Sequence, residues 1–273
     1  MRGFVRRSAL AGGRTIVLVA LAGAPALPAS AGTADCLAIP GLAASVAEAI
    51  DGDTVRLTDG TVVRLAGVEA PKRPLTVPDD EPWPLADEAR TGLGGLVAGA
   101  AVTLMQREAG SDRHGRVHAR LALADGRWVE GELAALGLVR VRWQAGEDAC
   151  FQLLLDIERG AREAARGLWA SPEYAILNAD DPSLRSRNGL YELVQGRILS
   201  VGHGSRMIFL DFGPNVRSDF TVMVTPALAE RLAAAGTPAD DLAGRRVRVR
   251  GIVEESGGPA IRLNDPAELE LLD

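Results

Sequence analysis

The order of apolar and polar positions divides the chain into two dense segments joined by a polar stretch. In the first segment, Asp53 to Leu57 and Thr61 to Val68 read as strands on either side of Asp59-Gly60. That dipeptide tolerates the positive φ angles of a tight hairpin turn. A second pair, Asp125-Gly126, follows the strand-like run Val117 to Ala124. Three stretches have helical spacing. One starts near Pro84, with Leu85, Ala89, Leu93 and Leu96 as its inner face, and a short one covers about Val129 to Leu136. The longest runs from Asp148 to Leu168, where Phe151, Leu154, Ile157, Ala161, Ala164 and Leu168 make one apolar stripe. Strands mixed with separate helices predict an α+β segment, mainly β, built as a small barrel capped by helices.

The polar stretch Ala170 to Asn188 reads as a linker. From Gly189 to Asp273 the pattern is again mostly β: Leu193 to Val201, Met207 to Phe212, Phe220 to Val224, Arg246 to Val253 and Ala260 to Leu263. One helix interrupts it, with Thr225 as N-cap, Pro226 in its first turn, and Leu228 and Leu232 on one face.

The first 31 residues do not fit either segment. Four arginines and no acid lead into the apolar run Thr15 to Leu27, and Ala29-Ser30-Ala31 offers a small-x-small cleavage site. These are the three parts of a secretory signal. The run is shorter than the roughly 20 residues that a spanning helix needs. A periplasmic or secreted protein is therefore expected, with residues 36–169 and 189–273 as its two domains. Loss of residues 1–31 takes the formal charge from −6 to −10. So acidic a chain excludes bulk electrostatic coating of nucleic acid; any phosphate binding has to come from local arginines or a bridging metal. Two cysteines in an exported chain, Cys36 and Cys150, are expected to form a disulfide. They and three scattered histidines show no zinc-ligand spacing.

Three short runs carry candidate chemistry: Ile50-Asp51-Gly52-Asp53-Thr54-Val55, Val63-Arg64-Leu65-Ala66-Gly67-Val68-Glu69-Ala70-Pro71, and Asp112-Arg113-His114-Gly115-Arg116. Asp53 and Glu69 fall at strand ends. With the carbonyl of Ala70 they offer the oxygen ligands that a hard cation such as Ca²⁺ takes. Arg64 and Arg116 each carry a planar fork of donors that suits phosphate oxygens. In this order the runs resemble the staphylococcal nuclease (thermonuclease) family, over roughly Ala43 to Trp169. The resemblance implies an OB-type five-stranded β-barrel with three helices and Ca²⁺-dependent cleavage of DNA or RNA. It makes Asp53, Glu69 and Ala70 metal ligands, places Asp51 just behind them, and makes Arg64 and Arg116 the phosphate-contacting arginines. His114 stands where a tyrosine is common and remains able to hydrogen-bond phosphate.

Lys72 departs from the family pattern, which has a glutamate after the proline as the proposed general base. A protonated lysine takes no proton at neutral pH unless burial lowers its pKa strongly. Three readings stay open. Metal-bound water acts without a side-chain base; an acid from the next loop (Asp79, Asp80 or Glu81) serves instead; or hydrolysis is lost and Lys72 adds a phosphate contact. In the last segment, Arg246, Arg248 and Arg250 alternate with valines, so period two puts all three on one strand face. They are candidates for tracking single-stranded nucleic acid. The pattern there resembles a smaller OB-like accessory β domain. The expected function is exported, Ca²⁺-dependent phosphodiester hydrolysis of DNA or RNA. Its rivals are a catalytically impaired nucleic-acid-binding protein on the same scaffold and an envelope protein-interaction scaffold.

Overall fold

A computed structural model describes residue 36 and residues 40–73, 83–106, 110–145 and 148–272. The signal-peptide reading of residues 1–31 and the acids Asp79, Asp80 and Glu81 lie outside the described residues. No helix among the described residues is long and apolar enough to cross a membrane.

The first domain opens with strands β1 (Leu42–Asp51), β2 (Thr54–Leu57), β3 (Val62–Leu65) and β4 (Val68–Glu69). Helix α1 (Ala86–Val97), β5 (Ala101–Met105), β6 (Val117–Leu123), α2 (Val129–Ala135), β7 (Arg140–Val141) and α3 (Asp148–Glu163) follow. Five strands close a barrel in the order β1-β2-β3-β6-β5, and β4 pairs with β7 beside it. The expected five-stranded barrel with three helices is what the residues build. Gly60 takes φ +90° in the β2–β3 turn, as the Asp-Gly pair requires. Ala89, Leu93 and Val97 turn into the core from α1, and the expected Leu96 packs against it half-buried. Phe151 and Leu154 of α3 join the same cluster.

Two features of this domain differ from the sequence reading. Strand β1 is long, but most of its positions are exposed or half-exposed alanines and polar residues, with Val46 buried; the hydrophobic alternation that marks a strand is faint. The long helix ends at Glu163 rather than Leu168. Ala165 turns to φ +47° and Gly167 to φ +53°. Gly167 then passes so close to Gly137 that an added Cβ would lie 2.3 Å from the Gly137 carbonyl oxygen. The Leu168 N–H donates to that same oxygen at 2.8 Å, seating Leu168 in the core by a short 3-10 turn instead of another helical turn.

Residues 170–188, expected as a linker, form short 3-10 turns and strand β8 (Leu177–Asn178), with Tyr174, Leu177 and Leu184 buried. Strands β9 (Tyr191–Arg197), β10 (Ser200–His203), β11 (Ile208–Asp211) and β12 (Thr221–Val224) follow, then helix α4 (Pro226–Ala234), β13 (Arg246–Glu255), β14 (Pro259–Arg262) and β15 (Leu269–Leu271). The second sheet runs β10-β11-β12-β14-β13-β9-β8, with β15 also on β13. It has its own core around Val194, Leu210, Phe220, Val249 and Ile261. Thr225 caps α4 by accepting from Leu228 N–H, as its sequence predicts.

The face of β13 corrects the expectation of a solvent-facing basic stripe. Arg246 is exposed and Arg248 half-buried, but Arg250 is 1% exposed. Its guanidinium crosses to the first domain and binds Glu158 of α3. Arg248 donates to Gln195 Oε1 at 3.1 Å. The arginines share a face as period two requires, but helix α3 covers that face at Arg250 and leaves Arg246 exposed. Phe220 is buried and packs against Phe212, so these rings serve the core.

Cys36 and Cys150, the expected disulfide partners, are both buried in the core of the first domain. The Arg120 guanidinium donates to Cys150 Sγ at 2.7 Å.

Candidate functional site

Three neighbouring strand ends build the site. β1 runs out at Asp51, the chain turns through Gly52 and Asp53, and β2 begins at Thr54. Gly52 is required there because an added Cβ would lie 2.6 Å from Ala89 Cβ and 2.7 Å from Ala70 Cβ. β3 lies between β2 and β6, so Arg64 sits opposite Thr54 on one side and His118 on the other. β4 then brings Glu69 against Arg140 of β7, with Ala70, Pro71 and Lys72 immediately after it.

Asp53 is the centre of this arrangement and is fully buried. Its Oδ1 accepts from the Thr54 hydroxyl at 3.0 Å and from Lys72 Nζ at 2.6 Å. Its Oδ2 accepts from the Ala70 N–H at 2.8 Å and lies 3.3 Å from Arg64 Nη2. A carboxylate has about four lone-pair directions, and all four are taken. Burial opposes its ionisation, but the Lys72 ammonium and the Arg64 guanidinium outweigh burial and hold the carboxyl below its ordinary range. Asp51 accepts from the Asp53 N–H at 2.9 Å and has Lys72 Nζ 3.4 Å from its Oδ2. Burial and the neighbouring Asp53 raise its pKa.

Glu69 meets Asp53 across the shared Arg64 Nη2. Its Oε2 accepts from Arg64 Nη2 at 2.8 Å and from Arg142 Nη1 at 2.6 Å. Arg64 is therefore a buried hub between Asp53 and Glu69. Burial works against its charge, but the two carboxylates outweigh that and raise its pKa. Three acids (Asp51, Asp53, Glu69) meet three bases (Arg64, Lys72, Arg142), so the cluster is formally neutral.

The structure thus gathers Asp51, Asp53, Arg64, Glu69, Ala70 and Lys72 as the sequence led one to expect. It does not arrange them as a metal centre. Ala70 contributes its N–H to Asp53, and Glu69 is turned to two arginines. A hard cation on Asp53 Oδ1 would have to displace the Lys72 ammonium. Among the described residues, no group of three or more His, Cys, Asp or Glu could hold a metal ion. The residues present do not fit the calcium implied by the family resemblance.

Arg116 belongs to a separate loop knotted by Asp112. Asp112 accepts from the N–H groups of His114 and Arg116 at 2.8 and 3.0 Å, and from Arg116 Nε at 2.8 Å. His118 adds a 3.3 Å contact. These bonds outweigh the opposing desolvation and hold the Asp112 carboxyl far below its usual range. His114 is exposed and paired with Arg113.

Arg142 was not singled out from the sequence, although the alternation Arg140-Val141-Arg142 repeats the pattern noted in β13. Arg140 is buried at the junction of the domains. It binds the Tyr191 carbonyl, Glu192 at 2.9 Å and the Tyr174 carbonyl at 3.2 Å. Beside it opens a cleft of about 190 Å³ lined by Lys72 and Arg73 from the site, Arg187 from the segment between the domains, the acids Glu173 and Glu192, and Trp83, Tyr174 and Tyr191.

Residues 62–171 match the family model described as Staphylococcal nuclease homologue. The match takes in Arg64, Glu69, Lys72 and Arg116 and begins after Asp53. No curated protein matches the chain.

Proposed function

We propose that this protein uses a staphylococcal-nuclease scaffold to bind nucleic-acid phosphodiesters without metal-assisted cleavage. The observation that carries this reading is the contact of Lys72 Nζ with Asp53 Oδ1 at 2.6 Å. It places an ammonium on the carboxylate that a cation would need. It also leaves no proton acceptor at the position where the family has a glutamate. A general base contributes roughly 10²–10⁴-fold and a metal ion several kcal/mol of transition-state stabilisation. Among the described residues, the site lacks the arrangement for either.

Binding is supported by the family match and by the surface beside the cluster. Lys72, Arg73 and Arg187 line a cleft beside the half-exposed Trp83, which is suited to stacking a base; a phosphate there competes with Glu173 and Glu192, which hold Arg187. Single-stranded DNA or RNA is the proposed partner, because unpaired bases are free to stack. The high negative charge of the rest of the chain makes binding local and moderate in strength rather than a coating of long polymers. The same proposal takes the protein as exported, on the basic start, short apolar run and Ala-Ser-Ala site of residues 1–31. Recovery of a mature chain beginning at residue 32 would test that part.

The test of binding is fluorescence anisotropy with labelled single-stranded DNA and RNA, with added Ca²⁺ and with chelator, followed by sizing of the oligonucleotide. Salt-sensitive binding that ignores chelator and leaves the strand intact is the expected result. Cleavage that needs Ca²⁺ would overturn it in favour of the hydrolase.

A further inference from the structure

We propose that the Lys72 ammonium is a tethered replacement for a divalent cation, closing the Asp51–Asp53 carboxylate pair to metal. It rests on the metal-free part of the reading above, through the same Lys72–Asp53 contact, and not on nucleic-acid binding.

Asp53 is fully buried, and Asp51 approaches the same ammonium from the other side, with Lys72 Nζ 2.6 Å from Asp53 Oδ1 and 3.4 Å from Asp51 Oδ2. Two carboxylates so placed repel each other unless a cation lies between them. In this chain the cation is carried on a side chain. Lys72 lies two residues beyond Ala70, whose N–H holds the other oxygen of Asp53, so the same short segment delivers both donors. Arg64 supplies the second positive charge from beneath. The pair Asp51 and Asp53 is then balanced by Lys72 and Arg64, and a divalent ion added to it would bring two uncompensated positive charges into a partly buried site.

Removing the ammonium reverses this balance. Asp51 and Asp53 would keep two negative charges against the one of Arg64, and Asp53 Oδ1 would lose its shortest donor. Oxygen ligands with excess negative charge and space left by a shortened side chain are what Ca²⁺ accepts. Lys72 is therefore the residue that decides whether this carboxylate pair is a metal site.

The experiment is titration calorimetry of the purified full chain with CaCl₂, paired with thermal unfolding at zero and millimolar Ca²⁺. The native protein and Lys72→Arg, which keeps the charge, should show no saturable binding that depends on Asp53. Lys72→Gln should bind Ca²⁺ at least about tenfold more tightly than the native protein, about 1.4 kcal/mol, and its unfolding temperature should rise with Ca²⁺. Lys72→Gln with Asp53→Asn should lose that gain. Circular dichroism establishes that each variant is folded. Folded Lys72→Gln that gains no Ca²⁺ binding would overturn the proposal. Ca²⁺ binding by the native protein that Asp53→Asn abolishes would overturn it too, and that arm decides the matter if Lys72→Gln fails to fold. Neither readout uses nucleic acid, so a failure of oligonucleotide binding leaves this result to stand or fall by itself.

Discussion

Arg250 of the second domain and Glu158 of the first form a two-pronged buried ion pair, with Nη2 3.1 Å from Oε1 and Nη1 3.2 Å from Oε2. Their side chains are 1% and 0% exposed. Glu158 Oε2 also accepts from the Val141 N–H at 2.7 Å, and Glu270 adds a second carboxylate to Arg250 at 2.6 Å. The pair ties β13 to helix α3 and to β7, which carries Arg140 and leads into Arg142. It fixes the second domain against the wall of the candidate site.

Breaking this pair should be costly. Arg250→Ala leaves Glu158 charged and buried, and such losses run to about 3–5 kcal/mol. Chemical denaturation should show that drop. Replacing both residues together, Arg250→Met with Glu158→Leu, should recover part of it: the two buried charges go together, while Glu270, Arg162 and the Val141 N–H each lose a partner. Oligonucleotide affinity of the folded double variant should match the native protein, since Arg250 does not reach solvent. A large affinity loss with unchanged stability would return Arg250 to the binding surface.

The history of Arg250 shows where a sequence stops. Period two correctly placed Arg246, Arg248 and Arg250 on one face. It said nothing of what covers that face, because Glu158 lies 92 residues away on another domain. The barrel and its helices were legible because the Asp-Gly turns and the apolar stripes of α1 and α3 are local patterns. Strand β1 was not, because its inward positions are mostly small and half-exposed. At the site, the motif runs named Asp53, Arg64, Glu69 and Lys72 as neighbours. Which of them bond to which depended on the return of β7, which sets Arg142 on Glu69 and leaves Asp53 to Lys72 and Arg64.

The close approach of Gly137 and Gly167 should tolerate no side chain. A Cβ on Gly137 would lie 2.2 Å from the Arg166 carbonyl oxygen, and both glycines have positive φ, 69° and 53°. Gly137→Ala or Gly167→Ala should cost about 1–3 kcal/mol by overpacking and backbone strain. Ala at Gly160, where a Cβ meets nothing within 4 Å, is the control and should be neutral or stabilising. Equal unfolding midpoints for all three variants would contradict this account of why α3 ends early.

Glu130 should make stability depend on pH near neutrality. It is fully buried, and desolvation pushes its carboxyl up to about 8, although it accepts from the Leu121 N–H at 3.2 Å. A folded-state pKa above the unfolded value of 4.5 means that the stability tied to the protonated form is complete below that value. It is lost as pH rises through the folded pKa. Glu130→Gln keeps an acceptor for Leu121 and cannot ionise. Urea unfolding at about pH 5 and pH 9 should show the native protein losing stability across that range and the variant losing less. Parallel curves would mean that Glu130 is already charged in the folded protein.

Partly exposed arginines outside the buried hub, Arg142 on Glu69 and Arg116 in its own loop, should add to phosphate binding at the cleft. Arg64 is buried and engaged by Asp53 and Glu69, so a phosphate reaches it only by displacing a carboxylate. Arg116 and Arg142 keep 26% and 40% of their side chains exposed, and each is held by one acid, Asp112 and Glu69 respectively. An exposed pair of this kind is worth about 1 kcal/mol or less, so a phosphate competes with it readily. Arg116→Ala and Arg142→Ala should each weaken single-strand binding about equally for all sequences and lower the slope of log affinity against log salt by about one. Arg248→Ala should leave that slope unchanged, because Arg248 is committed to Gln195 and Glu270. Since Arg142 also steadies Glu69, Arg142→Lys separates the two roles: it keeps the charge and so should restore the slope, even where the fork to Glu69 is lost. Slopes that stay at the native value in both alanine variants would remove these two arginines from the interface and leave Lys72, Arg73 and the junction cleft to account for binding.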